Sequence, residues 1–451
     1  LAAGVAYGFQ QLSSNNPDKV LSNVSKNITS WVPLAAAALG IVVIYCLIWW
    51  LKARFRYDDD ALEWVTGVLF RKRRRVLLDR LQSVDIHQPL LGRLAGFAAL
   101  RLEVAGGSDS HINLAYLTES RAAALRAELL ARAAGLQLNQ DPAPQAPENE
   151  LLTIPSKRLI SSVLLHLSVL LTPIWLACWI IPIAFTKQWA LLLGLVSTLW
   201  TIIRPIVNKI QAGLNYCLAN SPDGLRVTHG LLQLTHQTVP PGRIQAIRIE
   251  QYWLWRKPAW WTISINLAGY AGENSSTSLG GVTLLPVGEQ LDVSKTLWAV
   301  RSELTQDTAQ NLLQHLMTEA TPTQANRQLV GAAAAARWLD PLVWRHRAYG
   351  VSPVCLMIRS GRWHKQIDLV PHDKIQSLSL AQGPLQRRLG LATVYLHSTQ
   401  GPITPLVKHL SLTDAMKLLN EQSTRARTAR QAARAERWMT TNQPTEEASN
   451  A

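Results

Sequence analysis

Cysteine is scarce, 4 in 451 residues, and neither arrangement that gives it a structural role is present. Cys46 and Cys178 lie in apolar runs while Cys217 and Cys355 stand alone, so no disulfide framework and no CxxC metal spacing is formed. Signatures of catalysis are also missing. The chain has no GxSxG elbow, no GxxxxGK[ST] phosphate loop, no HExxH and no GxGxxG after a strand, and its 11 His residues are scattered singly. The sequence therefore predicts no enzyme, no metal and no cofactor. Acidic residues are the minority charge, 30 against 45 Lys and Arg, which leaves a net charge of +15. Nucleic acid, an acidic protein and an anionic membrane leaflet all suit that charge. Phe is rare as well, 5 residues against 17 Trp, and Trp is favoured where an apolar ring ends in a polar N–H at a membrane interface.

Long apolar runs are what the chain does have. Trp31–Leu51 is uncharged over about the twenty residues that a helix needs to cross a hydrocarbon core. Lys52, Arg54 and Arg56 follow it, a flank that normally stays in the cytoplasm. Leu164–Phe185 and Trp189–Ile210 predict two further spans, joined by a turn so short that they form a hairpin, with Lys157, Arg158, Arg204 and Lys209 on its cytoplasmic side. His166 and Arg204 lie near the cytoplasmic ends, and no acid within a span completes a relay. The stretch LAAGVAYGF, residues 1–9, is too short to span and reads as the end of a helix cut upstream, with a signal-peptide remnant as the competing reading. Three spans tether the chain and argue against nucleic acid as partner.

One phrase occurs three times: RLQSVDIHQPLLGRLAG from Arg80, RIQAIRIEQYWLWRKPA from Arg243 and KIQSLSLAQGPLQRRLG from Lys374. Gly67, Gly230 and Gly361 each precede Gln82, Gln245 and Gln376 by fifteen residues, and Arg93, Arg256 and Arg387 each follow the leading base by thirteen. Inside the phrase, Val84 and Ile86, Ile247 and Ile249, and Leu378 and Leu380 alternate with more polar positions, the period of a half-buried strand. The common Gly falls between short strand-like runs, where positive φ closes a hairpin. A helix-like segment ends each copy, opening at Thr118, Thr305 or Thr413. The unit is several antiparallel strands and one C-terminal helix, present as three duplicated domains.

These segments, with their Gly, Gln and Arg positions, resemble the bacterial pleckstrin-homology (PH)-like domain of membrane proteins of the YdbS/YdbT type. The resemblance runs from about Lys52 onward and implies a seven-stranded, strongly bent β-sandwich or barrel closed by a helix. The middle copy departs most, with WLWRKPAWW where the others have PLLGRLAG and PLQRRLG. The expected fold class is an α+β membrane protein with three PH-like domains plus transmembrane helices, placed as a multi-pass protein in a bacterial inner membrane with its domains cytoplasmic. The expected division is an N-terminal membrane region 1–51 (partial span 1–9, external loop 10–30, span 31–51), a PH-like domain 52–136, a linker 137–158, the transmembrane hairpin 159–210, a second domain 211–320, a linker 321–336, a third domain 337–424, and a basic helix with a disordered tail 425–451.

Two clusters are candidate binding sites. Arg71, Lys72, Arg73, Arg74 and Arg75 form the densest charge run, which reads either as capture of phospholipid headgroups or as a solvated strand pair balanced by Asp58, Asp59, Asp60 and Glu63. Trp253, Trp255, Trp260 and Trp261 surround Arg256 and Lys257, an interleaving that suits a headgroup layer, or Trp packing against the helical hairpin. The repeated Gly, Gln and Arg positions read as structural. The functional expectation is a non-catalytic membrane scaffold presenting PH-like domains to anionic phospholipid, to a protein partner or to one another, with a transport or export accessory as the alternative.

Overall fold

The computed structural model describes residues 54–57, 61–66, 72–77, 81–104, 111–133, 149–186, 191–221, 224–268, 281–318, 329–399 and 401–432, with isolated helical positions at Ala37, Gly40, Ile41, Ile44 and Ile48. It divides into two compact units, Leu1–Arg80 with Leu170–Pro205, and Leu81–Val169 with Ile206–Ala451.

In the first unit β1 (Arg54–Tyr57), β2 (Ala61–Thr66) and β3 (Lys72–Leu77) make an antiparallel sheet with β2 in the middle. Two helices, Thr172–Thr186 and the first part of Leu191–Gly213, approach closely at Gly194, where a Cβ would fall 2.4 Å from the Trp179 ring. Ile174, Trp175, Phe185, Val196 and Trp200 on these helices are exposed, a surface suited to an apolar contact.

The expected transmembrane helices are corrected here. Leu164–Phe185 is not one helix: Ser156–Leu164 stops, turns at Leu165 and His166, and the chain breaks again at Leu171 before Thr172–Thr186. At 1.5 Å per residue that last helix of 15 residues covers roughly 22 Å, short of the ~30 Å of a hydrocarbon core. Leu191–Gly213 has 23 residues, but Arg204, Asn208, Lys209 and Gln211 make its second half polar. No described helix is long and apolar enough to cross a membrane. The multi-pass inner-membrane placement rested on these spans and falls with them, as does the pathway that the transport alternative needs. Trp31–Leu51 lies outside the described residues apart from the isolated helical positions.

In the second unit the strands group in threes and fours. β4 (Leu81–Gln88), β5 (Phe97–Val104) and β6 (His111–Thr118) form a meander, covered by the helix Glu119–Ala133 through Ala122, Leu125 and Leu129. β7 (Asn149–Thr153), β8 (Cys217–Ser221), β9 (Gly224–His229) and β10 (Leu234–Val239) come next, then β11 (Ile244–Tyr252), β12 (Trp261–Leu267) and β13 (Gly281–Gly288) with the helices Gln290–Val300 and Asp307–Met317. The last copy has β14 (Leu329–Gly331), β15 (Ala348–Val351), β16 (Cys355–Ser360) and β17 (His364–Pro371), then β18 (Ser377–Ala381), β19 (Leu391–His397), β20 (Leu406–Ser411) and the helix Leu412–Ala432. Copies two and three thus hold seven strands each, as a four-stranded half and a three-stranded half. β7 falls within residues 137–158 and β14 within 321–336, both expected as linkers.

The halves do not close on themselves. The sheet orders are β6-β5-β4-β10-β9-β8-β7 and β13-β12-β11-β17-β16-β15-β14, so the three-stranded half of each module is continued by the four-stranded half of the next. The joining strand is the repeated phrase. Gln88 pairs with Leu234 and His87 with Thr235 in the first joint, and Gln251 with Lys365 and Glu250 with Gln366 in the second. Counted from the phrase Gln and the turn Gly, these are the same positions, so both joints share one register. The turn glycines carry the fourth strand back. Gly230 has φ 118° and Gly361 φ 85°, and a Cβ on either would sit within 2 Å of the carbonyl oxygen of Gln233 or His364. Gln82 and Gln245 lie in β-bulges, between Leu81 and Ser83 and between Ile244 and Ala246. Gln376 N–H bonds His397 O at the same point of the third copy.

Apolar packing crosses the second joint too. Ile247, Ile249, Ile263 and Ile265 share one buried cluster with Met357, Ile367 and Leu369, while Leu356, Ile358 and Val370, on the other face of the same strands, belong to the core under Leu412–Ala432. Burial on both faces explains why β16 opens on the continuous apolar run Cys355–Ile358. The helix expected to open at Thr305 in the middle copy opens at Asp307, and a further helix, Gln290–Val300, precedes it behind a capping box of Glu289 and Asp292; the others open at Glu119 and at Leu412, where Ser411 Oγ accepts from Asp414 N–H.

The first joint contains a titratable group. His87 Nδ1 lies 3.2 Å from Thr235 Oγ1 across it. Burial, then Arg101, His229 and His236, push the His87 pKa from 6.5 to about 4. The folded chain keeps this ring neutral while the unfolded chain protonates it, so its contribution is intact above pH 6.5 and is lost as pH falls toward 4, by up to about 3 kcal/mol. Urea unfolding of wild type and His87→Asn between about pH 7.5 and about pH 4.5 checks this: wild type loses more stability on acidification than the variant.

Candidate functional site: a basic cavity in the third module

Between the two halves of the third module the sheets leave a cavity of about 360 Å³, in the size range of small-ligand sites. Four bases line it: Arg248 from β11, Arg347 before β15, Arg359 from β16 and Lys408 from β20, with Asp368 of β17 the one acid in the lining. Strand alternation places them. Ile247 and Ile249 go to the apolar cluster, which turns Arg248 to the opposite face of β11, and Arg359 stands at the end of the buried run Cys355–Ile358.

Asp368 is committed to Arg248. The guanidinium donates from Nε to Oδ1 at 2.6 Å and from Nη2 to Oδ2 at 2.9 Å, bridging the second joint. Burial pushes the Asp368 carboxyl upward, against these bonds. Arg359 is only 2% exposed and donates from Nε to His346 O at 3.1 Å. Arg347 donates from Nη2 to Asp340 at 2.6 Å, but its Nε and Nη1 are buried and have no acceptor among the described residues. Burial lowers the pKa of Arg347, with Asp340 opposing. Beside it His409, at φ 59°, is held by Asp340 at 2.9 Å and by Gln386 at 3.0 Å. With its acid already bonded, the cavity presents excess positive charge and unmet donors, an arrangement that recognises an anion with several acceptor oxygens.

The clusters chosen from the sequence lie elsewhere. Arg73 and Arg75 are exposed on β3 with Lys72 and Arg74 on the same strand, and Arg71 lies outside the described residues. Arg73 pairs with Glu63 on β2, and that hydrogen bond holds the Glu63 carboxyl below its usual range. The Trp cluster divides. Trp255 is buried and donates from Nε1 to Ser162 O at 3.0 Å, Trp261 is buried with Lys365 Nζ 5.4 Å from its ring centre, and Trp260 is half-buried. Trp253 and Lys257 are exposed, Trp253 lying 6.1 Å from Trp363 across the second joint. The repeated Arg also crosses the joints: Arg93 donates to Leu231 O at 3.3 Å and Arg256 to Arg362 O, in each case the residue after the next module's turn Gly. On the C-terminal helix Arg427 and Arg430 are exposed and Arg430 donates to Ile375 O, while Arg434 and Arg437 lie outside the described residues. Sequence reasoning missed Arg248, Arg347, Arg359 and Lys408. The usable signal was Arg359, a lone charge ending the apolar run VCLMIR.

Three modules of this build, repeated with one register, define a class. The family model described as bacterial PH domain matches residues 17–133, 162–297 and 311–427, most of the chain, and the chain belongs to that family. It is similar to the transmembrane protein YdbT of Bacillus subtilis (strain 168), at 20% identity over 282 residues. That match covers 55% of this chain and 57% of the relative.

The Arg248–Asp368 pair yields a stability prediction. Asp368→Ala leaves a buried guanidinium without its counter-charge and lowers unfolding free energy by about 3–5 kcal/mol, whereas Arg248→Met with Asp368→Leu restores most of it. Urea midpoints of the single and double variants measure the difference.

Proposed function

We propose that the chain is a non-catalytic scaffold whose PH-like modules form a joined array and whose third module takes a phosphorylated anion, the headgroup of an acidic phospholipid. The observation that carries this reading is Arg347, a cavity-lining base with two buried N–H groups and no acceptor for them among the described residues. An unmet buried donor costs about 1–3 kcal/mol, a penalty that a phosphate oxygen removes. Arg248, Arg359 and Lys408 add charge around the same space, and a guanidinium fork matches phosphate geometry. The exposed Arg73, Arg75, Trp253 and Lys257 contribute at the surface, where salt screens attraction beyond about 8 Å. Membership of the bacterial PH domain family supports binding rather than chemistry as the role.

Flotation of the full chain with phosphatidylglycerol-containing and with pure phosphatidylcholine vesicles, each at low and high salt, tests the reading. Binding to the anionic vesicles alone, weakened by salt and reduced about tenfold by Arg347→Gln and by the exposed-site variant Lys408→Ala, is the expected result. Equal, salt-insensitive binding to both vesicles sinks it.

A further inference from the structure

The third copy of the phrase carries every part of a joint, but among the described residues no strand is paired on its outer side. In the first two copies the phrase strand is covered: Val84, Asp85 and Ile86 are buried, and so are Ile244 through Ile249 apart from the half-buried Arg248. In the third, β18 is the edge of its sheet among the described residues, with Ser377, Ser379 and Ala381 exposed and Leu378 and Leu380 turned to the core under Leu412–Ala432. Arg93 and Arg256 clamp the next module's turn, whereas Arg387, the same position, is exposed and has no partner among the described residues. In the first unit β3 follows Gly67 as β10 follows Gly230 and β17 follows Gly361, which makes it their fourth-strand counterpart, and it too is a sheet edge among the described residues.

We infer that copies of this chain associate head to tail, β18 of one pairing antiparallel with β3 of another in the register of the two internal joints. That register sets Ala381 against Lys72 and Ser379 against Arg74, and leaves Arg387 to bond a backbone carbonyl of the neighbouring copy as Arg93 and Arg256 do within the chain. No like charges meet, because the third copy has Ser379 where the second has Arg248 and Ala381 where it has Glu250. Bare strand edges pair readily, and charged edges are the usual deterrent; β3 keeps such charges, which confines it to a neutral or acidic partner edge. The interface is heterologous, so it builds rings or open chains rather than two-fold dimers.

Sedimentation velocity of the full chain over a concentration series, with paired-charge variants, tests the inference. The expected result is concentration-dependent association beyond a dimer, tightened about fivefold by Ser379→Glu with Ala381→Glu, the size that two cross-strand charge pairs allow, and weakened by Ser379→Lys with Ala381→Lys and by Arg387→Ala. These side chains are exposed, and the bond that Ser379 Oγ makes with the ring of His397 is exposed too, so the thermal midpoint stays close to wild type. A monomer at every concentration overturns the inference, as does association indifferent to all three variants. Weakening by the Glu pair as well as the Lys pair also overturns it, because it identifies β18 pairing with its own twin.

Discussion

Backbone pairing between the phrase strand of one module and the fourth strand of the next is the interaction on which the rest of the second unit depends. Each module offers two sheet edges that would otherwise be bare, and the joint removes both at once. Side chains then commit the register. Thr238 N–H donates to Asp85 across the first joint, while Arg248 and Asp368 form a two-bond pair across the second. The two joints use different chemistry on the same backbone geometry, which points to strand pairing as the common element and the polar contacts as local reinforcement.

The three conserved spacings inside the chain take their meaning from this joint. The Gln sits at the bulge or bulge-like start of the phrase strand, the Gly turns the receiving strand back, and the Arg of one module bonds the carbonyl just after the Gly of the next. A residue repeated within a module therefore acts between modules. The cavity depends on the same construction, since Arg248 of the second module lines a space otherwise built by the third and is steered there by Asp368 on the strand that it pairs with.

Much of the strand structure was legible in residue order. Alternation in RIQAIRIEQY marked Ile247 and Ile249 as core, and the glycines before LLQL and RWHK marked turns that Gly230 and Gly361 do form with positive φ. Partnership was not legible, because a period of two says which face a residue takes and nothing about which strand lies alongside. Helix continuity failed for a related reason. Hydropathy alone joined Leu164 to Phe185, but the backbone turns at His166 and again at Leu171. Of the candidate site, only Arg359 carried a visible signal; Arg347, in the mixed stretch WRHRAYG, becomes distinctive only once burial leaves two of its donors without acceptors.

Hydrogen exchange on the full chain at high dilution, resolved to the three phrase strands, tests the shared-edge architecture most directly. Amides of an inner strand are all bonded, whereas an edge strand leaves every second one to water. The account predicts slow exchange throughout the doubly paired stretches Ile86–Gln88 and Ile247–Tyr252, and a fast-exchanging half of the amides in Ser377–Ala381. Fast exchange of alternate amides in all three strands alike would contradict it, since each module would then stand with its own open edge.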